Sequence, residues 1–156
     1  MNAEHIESAA ELRELYRELI LDHARKPRHF GQLRDATHSA NGINPLCGDN
    51  LNLDLAVGDG IIRDAAFEAT GCAISVASAS LMTDTIIGRT DHDALQWSDR
   101  VTTSLTSEDD TDAGDLGKLA ALMGVRQFPS RIKCATLAWH ALRNALRHEK
   151  LPASTE

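Results

Sequence analysis

The sequence contains no apolar run approaching the roughly 20 residues that a membrane helix requires, so a helical membrane span is not expected. Its N-terminus, MNAEHIESAAEL, has neither the basic n-region nor the apolar h-region of a secretory signal, and a cytoplasmic protein is expected. Positive charge is in deficit. The 16 Lys and Arg stand against 23 Asp and Glu, a formal charge of −7 with a pI near 5.4. A nucleic-acid binder would normally carry a basic stripe, so that class is disfavoured. Internal repeats, low-complexity segments and CxxC pairs are missing too. Cysteine is sparse and odd in number: Cys47, Cys72 and Cys134 are widely spaced, a poor disulfide framework in a chain without a signal peptide.

What is present is ordinary for a globular protein: 42% hydrophobic and 25% charged residues. The 156 residues suit a single domain spanning 1–156, with a core over about 8–148 and a frayed tail after Lys150. Residues 8–26 read as an amphipathic helix with Leu12, Leu15, Tyr16, Leu19, Ile20 and His23 along one stripe, limited by Pro27. The basic cluster Arg25-Lys26-Pro27-Arg28 suits either a helix C-terminus or a partner-docking turn. A weakly patterned extended stretch follows at 36–43. Leu51, Leu53, Leu55 and Val57 then alternate with Asn50, Asn52, Asp54 and Ala56, the pattern of a half-buried strand. Gly58-Asp59-Gly60 marks a tight turn, and Ile61 to Ala69 is the returning strand.

From Cys72 to about Gly88, a run of Ala and Ser among Ile, Leu and Met predicts a helix lying close to its neighbours. Short helices are expected at 91–105 and 116–123, separated by the solvated acidic segment SEDDTDAGD. Pro129-Ser130 opens a last helix to about His148, with Ile132, Ala135, Trp139, Leu142 and Leu146 on its apolar stripe and Ser130 as its cap. Strands followed by helices indicate an α+β fold: a small antiparallel sheet of about three strands, covered by helices.

The cysteines fall at telling places. Cys47 lies in the turn-rich loop Asn44-Pro45-Leu46-Cys47-Gly48-Asp49, with a carboxylate two residues on. A hairpin centred on Asp59 sets Leu51 opposite Phe67 and Cys47 opposite Gly71, so Cys72 lies at the same end of the sheet. Cys72 and Cys134 are expected near helix starts, where positive partial charge favours a thiolate. Cys47, Asp49, Cys72 and Cys134 supply three thiolates and a carboxylate, enough for a tetrahedral zinc site or an Fe–S cluster. Three small buried hydrophobes is the plainer alternative. The seven histidines fit no metal spacing.

Three segments, NPLCGD, TGCAISVASASLM and RIKCATLAW, closely resemble the cysteine motifs of the U-type iron–sulfur cluster assembly proteins, and LYRELILDHARKPRHFG is similar to that family's opening helix. The resemblance runs from about Tyr16 to about Leu146. It favours the SufU branch over the IscU scaffold branch, because Lys133 stands where scaffolds usually have His before the last cysteine, and an insertion falls within 89–129. The resemblance implies a zinc-dependent sulfurtransferase held on Cys47, Asp49, Cys72 and Cys134. Its Cys47 would accept persulfide sulfur from a SufS-type cysteine desulfurase and relay it to SufBCD-type machinery. For Cys47 to react, its thiolate must leave the metal, and its loop between Pro45 and Gly48 is the half able to move. Arg131 resembles a family position near the site, with a plain surface role as the alternative. Lys133 is expected to face solvent or a partner. Two other readings remain open: a scaffold assembling a [2Fe–2S] cluster on the same residues, and a non-catalytic zinc-stapled interaction domain.

Overall fold

The computed structural model describes residues 2–107, 113–149 and 152–155. In chain order it contains α1 (Asn2–Arg25), β1 (His38–Asn44), β2 (Asp49–Gly58), β3 (Ile61–Thr70), α2 (Ala73–Ile86), α3 (Asp91–Thr106), a 3-10 segment (Ala113–Gln127), α4 (Pro129–Leu146) and β4 (Ala153–Ser154). The expected α+β class is found, with one addition. The sheet has four strands in the order β3-β2-β1-β4 and is mixed, because β4 runs parallel to β1. The tail expected to fray instead seats Ala153 beside Gly42, and the Thr155 N–H donates to the Ile43 carbonyl. Most of the acidic segment, residues 108–112, lies outside the described residues.

The alternation read in β2 is realised, with Leu51, Leu53 and Leu55 all fully buried. Asp59 and Gly60 both take positive φ, as a two-residue hairpin turn of the primed type requires. The register differs from expectation. Leu51 pairs with Ala69, and Leu53, not Leu51, faces Phe67. The turn lies on Asp59-Gly60 rather than on Asp59 alone, and a bulge between Ala56 and Val57 adds a further residue. The total slip is two, so every side chain keeps its face. Both sheet edges are covered: β4 lies on one, and His29 to Gly31 bond Phe67 on the other, where Phe30 meets Phe67 edge-on at 5.4 Å.

The helices pack on the apolar face of the sheet. On α4 the residues from Cys134 to Trp139 are all buried, more than the single stripe predicted, because β1, β2, α2 and α3 surround the helix. Gly42 lets β1 approach it, since a Cβ there would stand 3.0 Å from Leu137. The small residues of α2 allow the close packing expected of them. Ser78 Oγ donates to the Ala135 carbonyl at 2.6 Å and accepts from Trp139 Nε1 at 3.1 Å. On the other side Ser80 Oγ accepts from the Arg28 backbone N–H and bonds the buried His23. These bonds fix α2 between α1 and α4 and so fix the position of its N-terminus, where Cys72 lies.

Two local expectations differ. Leu15, placed on the buried stripe of α1, is 64% exposed, and the face that packs carries Tyr16, Leu19, Ile20 and His23. Where a helix over 116–123 was expected, a longer 3-10 segment runs from Ala113 to Gln127 and breaks at Gly117, whose φ is +59. Thr90, by contrast, opens α3 as a regular cap, accepting from the Asp93 N–H at 3.0 Å.

Candidate metal centre

β1 and β2 form a second hairpin, closed by the pair Asn44 and Asp49, with Pro45, Leu46, Cys47 and Gly48 as its loop. Gly48 takes φ +70, which brings the chain back into β2 directly after Cys47. Cys47 is exposed at the loop tip, while Asp49 at the strand start is 1% exposed. This hairpin sets the cysteine and the carboxylate against α2 and α4.

Cys72 is the N-cap of α2, and its backbone N–H donates to Asp49 Oδ1 at 2.8 Å. The thiol makes no capping bond, so the unpaired N–H groups of the first turn leave positive partial charge around it. It is Asp49, not Cys47, that comes to lie against Gly71, the consequence of the two-residue slip in register. Cys134 is fully buried in α4. The cap of α4 is Phe128, with Pro129 at its first position, rather than Ser130. Cys134 therefore sits in the second turn and not the first, where the dipole contributes little.

Cys47, Asp49 and Cys134 present ligand atoms that all lie within 4.8 Å of one another. Cys72 stands outside that close set and joins it through its N–H to Asp49. Among the described residues no histidine joins the group. Burial pushes the Cys134 thiol far above the ordinary range, and the neighbouring Asp49 and Cys72 add to the effect. In the metal-free chain Cys134 is a neutral thiol, and a metal ion would have to displace its proton. Two thiols and a buried carboxylate within 4.8 Å, with a third thiol adjoining, suit a soft or borderline ion such as Zn²⁺ or an Fe–S cluster.

Two further residues complete the surroundings. Arg131 is exposed, yet its guanidinium faces both helix-borne thiols. Its affinity for the proton is raised first by Cys72 and then by Cys134. Of the two roles open for Arg131, the structure shows the one near the site. Asn44 was missed by sequence reasoning. Its Nδ2 donates to Asp49 Oδ2 at 3.1 Å and lies 3.6 Å from Cys134 Sγ. Its place opposite Asp49 across the four-residue loop is set by the strand register, which the sequence does not mark. Lys133 turns elsewhere: it lines a cleft of about 480 Å³ with Thr102, Thr106, Thr136 and His140. In the basic turn after α1, Arg28 is used internally, paired with Asp22 at 2.5 Å. Among the described residues no helix is long and apolar enough to cross a membrane.

The chain is similar to known proteins over most of its length. The chain is 43% identical over 141 residues to the zinc-dependent sulfurtransferase SufU of Bacillus subtilis (strain 168), covering 90% of this chain and 95% of that one. It is 39% identical over 138 residues to the iron–sulfur cluster assembly scaffold protein IscU of Streptococcus pyogenes serotype M1, covering 88% and 86%. Among solved structures, a putative iron–sulfur cluster assembly scaffold protein for the SUF system from Fervidobacterium islandicum AW-1 superposes with a TM-score of 0.73 at 31% identity, covering 83% and 94%. Residues 15–148 match the NifU-like N terminal domain, and the chain belongs to that family.

Proposed function

We propose that this protein is a zinc-dependent sulfurtransferase of iron–sulfur cluster assembly, working in the cytoplasm between a SufS-type cysteine desulfurase and a SufBCD-type scaffold. Cys47, Asp49, Cys72 and Cys134 are its metal ligands, and Cys47 is its sulfur acceptor. The observation that carries the reading is the contrast between two neighbouring thiols. Cys134 is fully buried on a helix, whereas Cys47 is exposed on a four-residue loop within 4.8 Å reach of it. Only the exposed one can meet a sulfur carried by another protein.

Bound to these four side chains, Zn²⁺ would hold the thiols as thiolates and tie the loop to the helices. A thiolate so bound is a weakened nucleophile, so Cys47 acts when its loop has swung clear. The Cys47 thiolate then attacks the outer sulfur of the desulfurase persulfide. A new S–S bond forms on Cys47, the S–S bond of the desulfurase breaks, and the desulfurase cysteine leaves as a thiolate that takes up a proton. Arg131 offers fixed positive charge beside the site while charge moves between sulfurs.

A second reading, a scaffold that assembles a [2Fe–2S] cluster, draws on the relatives named IscU, of which the Thermotoga maritima protein is 38% identical over 138 residues. The same donors suit both. Metal content and desulfurase turnover, measured with and without this protein, separate the two. A colourless zinc protein that raises turnover supports the sulfurtransferase. A coloured Fe–S protein that leaves turnover unchanged supports the scaffold.

A further inference from the structure

Asn44 is fully buried, and its two polar ends differ in fate. Nδ2 donates to Asp49 Oδ2 at 3.1 Å and reaches Cys134 Sγ at 3.6 Å. Oδ1 is buried with no hydrogen-bond partner among the described residues. An unpartnered buried acceptor is destabilising. An apolar side chain of similar size would remove that cost. The amide is therefore in place for its donor end, which points at two of the candidate ligands.

We infer that Asn44 is a positioning residue for the metal centre, holding the Asp49 carboxylate and the Cys134 sulfur in fixed relation. The placement explains why this job falls to residue 44. Asn44 is the backbone partner of Asp49 at the closing pair of the hairpin, so it moves with the carboxylate. Its side chain crosses from the hairpin to α4 and bonds the ligand buried there. One donor group thus joins the loop-borne half of the site to the helix-borne half. Holding a metal, both acceptors would be anionic, and hydrogen bonds to ionised acceptors are the stronger kind. When the Cys47 loop swings out, the tie keeps Asp49 and Cys134 in register, because residue 44 lies before the loop and residue 49 after it. Outer partners of this kind are typically worth about 10–100-fold in metal affinity.

This inference rests on the ligand assignment proposed above, and its test separates the two. Full-length wild type, Asn44→Leu and Asn44→Ser are prepared metal-free. Zinc affinity is measured by competition with a chromophoric chelator, thermal melting is recorded without metal, and Co²⁺ is added as a spectroscopic probe. Asn44→Leu is expected to fold, to bind zinc about 10–100-fold more weakly, and to shift the thiolate-to-Co²⁺ charge-transfer band. Asn44→Ser, which keeps a donor, recovers part of the affinity and of the band position. Affinity and spectrum unchanged in Asn44→Leu overturn the inference while leaving the ligand set standing. A wild type that binds neither ion overturns the ligand set itself, and the inference with it. If Asn44→Leu does not fold, Asn44→Ser carries the measurement, and wild-type affinity combined with a lowered melting temperature shows a structural role only.

Discussion

The carboxylate of Asp49 fills the space that a side chain at residue 71 would need. Gly71 takes φ +139, and a Cβ built there would stand 2.9 Å from Asp49 Cα and closer still to the carboxylate. The same carboxylate accepts the N–H of Cys72, the next residue. Strand and helix meet at this point with no room to spare. Gly71→Ala is therefore expected to destabilise the fold by about 1–3 kcal/mol through backbone strain and to displace Asp49. Thermal melting and zinc stoichiometry check this: both should fall together.

The three cysteines should answer differently to substitution. Cys47→Ser is expected to retain zinc on the remaining side chains and to lose all stimulation of the desulfurase. Cys134→Ser is expected to lose both zinc and stability, because its thiol is fully buried and metal binding at such a site is coupled to folding. Metal analysis, melting curves and desulfurase assays on the two variants provide the comparison. Normal stimulation by Cys47→Ser would remove the acceptor assignment.

Arg131 is exposed, so its replacement should leave the fold intact while changing the charge around Cys72 and Cys134. Three thiolates and a carboxylate around Zn²⁺ leave net negative charge, which a guanidinium beside them offsets. Arg131→Ala is expected to bind zinc more weakly at low ionic strength, with the deficit shrinking as salt is added. Arg131→Lys should restore the charge but not the planar hydrogen bonding, and so recover only part. Chelator competition at two salt concentrations reads the effect.

Buried His23 and half-buried His140 make stability depend on pH in one direction. His23 has its proton affinity lowered first by burial and then by the charge of Arg28, and His140 first by burial and then by Arg143. In the unfolded chain both return to the ordinary histidine range and bind protons more readily. The unfolded state therefore gains protons between the lowered folded pKa and the ordinary value. Stability is full above the ordinary value and is lost as pH falls below it. Urea midpoints are expected to drop from about pH 7.5 to about pH 5.5, and His23→Gln, which keeps a partner for Ser80, should show a smaller drop.

Much of this arrangement could be read from the residues, and the misses have physical causes. Leu51, Leu53 and Leu55 gave the central strand because burial on one face imposes strict alternation. Their partners came out two residues away, since a bulge at Ala56 and Val57 leaves no mark in the pattern. The short β4 strand was invisible because two residues carry no period, and its place is set by the β1 edge it covers. Cys134 lies two residues deeper in its helix than the cap-like Ser130 implies, because the chain enters through Phe128 and Pro129. Cys47, Asp49 and Cys134 could be grouped from the loop and helix assignments, and the structure draws them within 4.8 Å. Asn44 could not be picked out, because its part in the site lies in contacts with Asp49 and Cys134, the latter 90 residues away.

The proposed function stands on Cys47 as the thiol that receives sulfur. The most direct test incubates the zinc-loaded protein with a cysteine desulfurase and cysteine, then maps the added sulfur by peptide mass spectrometry under non-reducing conditions. One extra sulfur atom is expected on the peptide carrying Cys47, with Cys72 and Cys134 unmodified. Sulfur found on Cys72 or Cys134 in its place, or on none of the three while turnover proceeds, would rule out Cys47 as the acceptor.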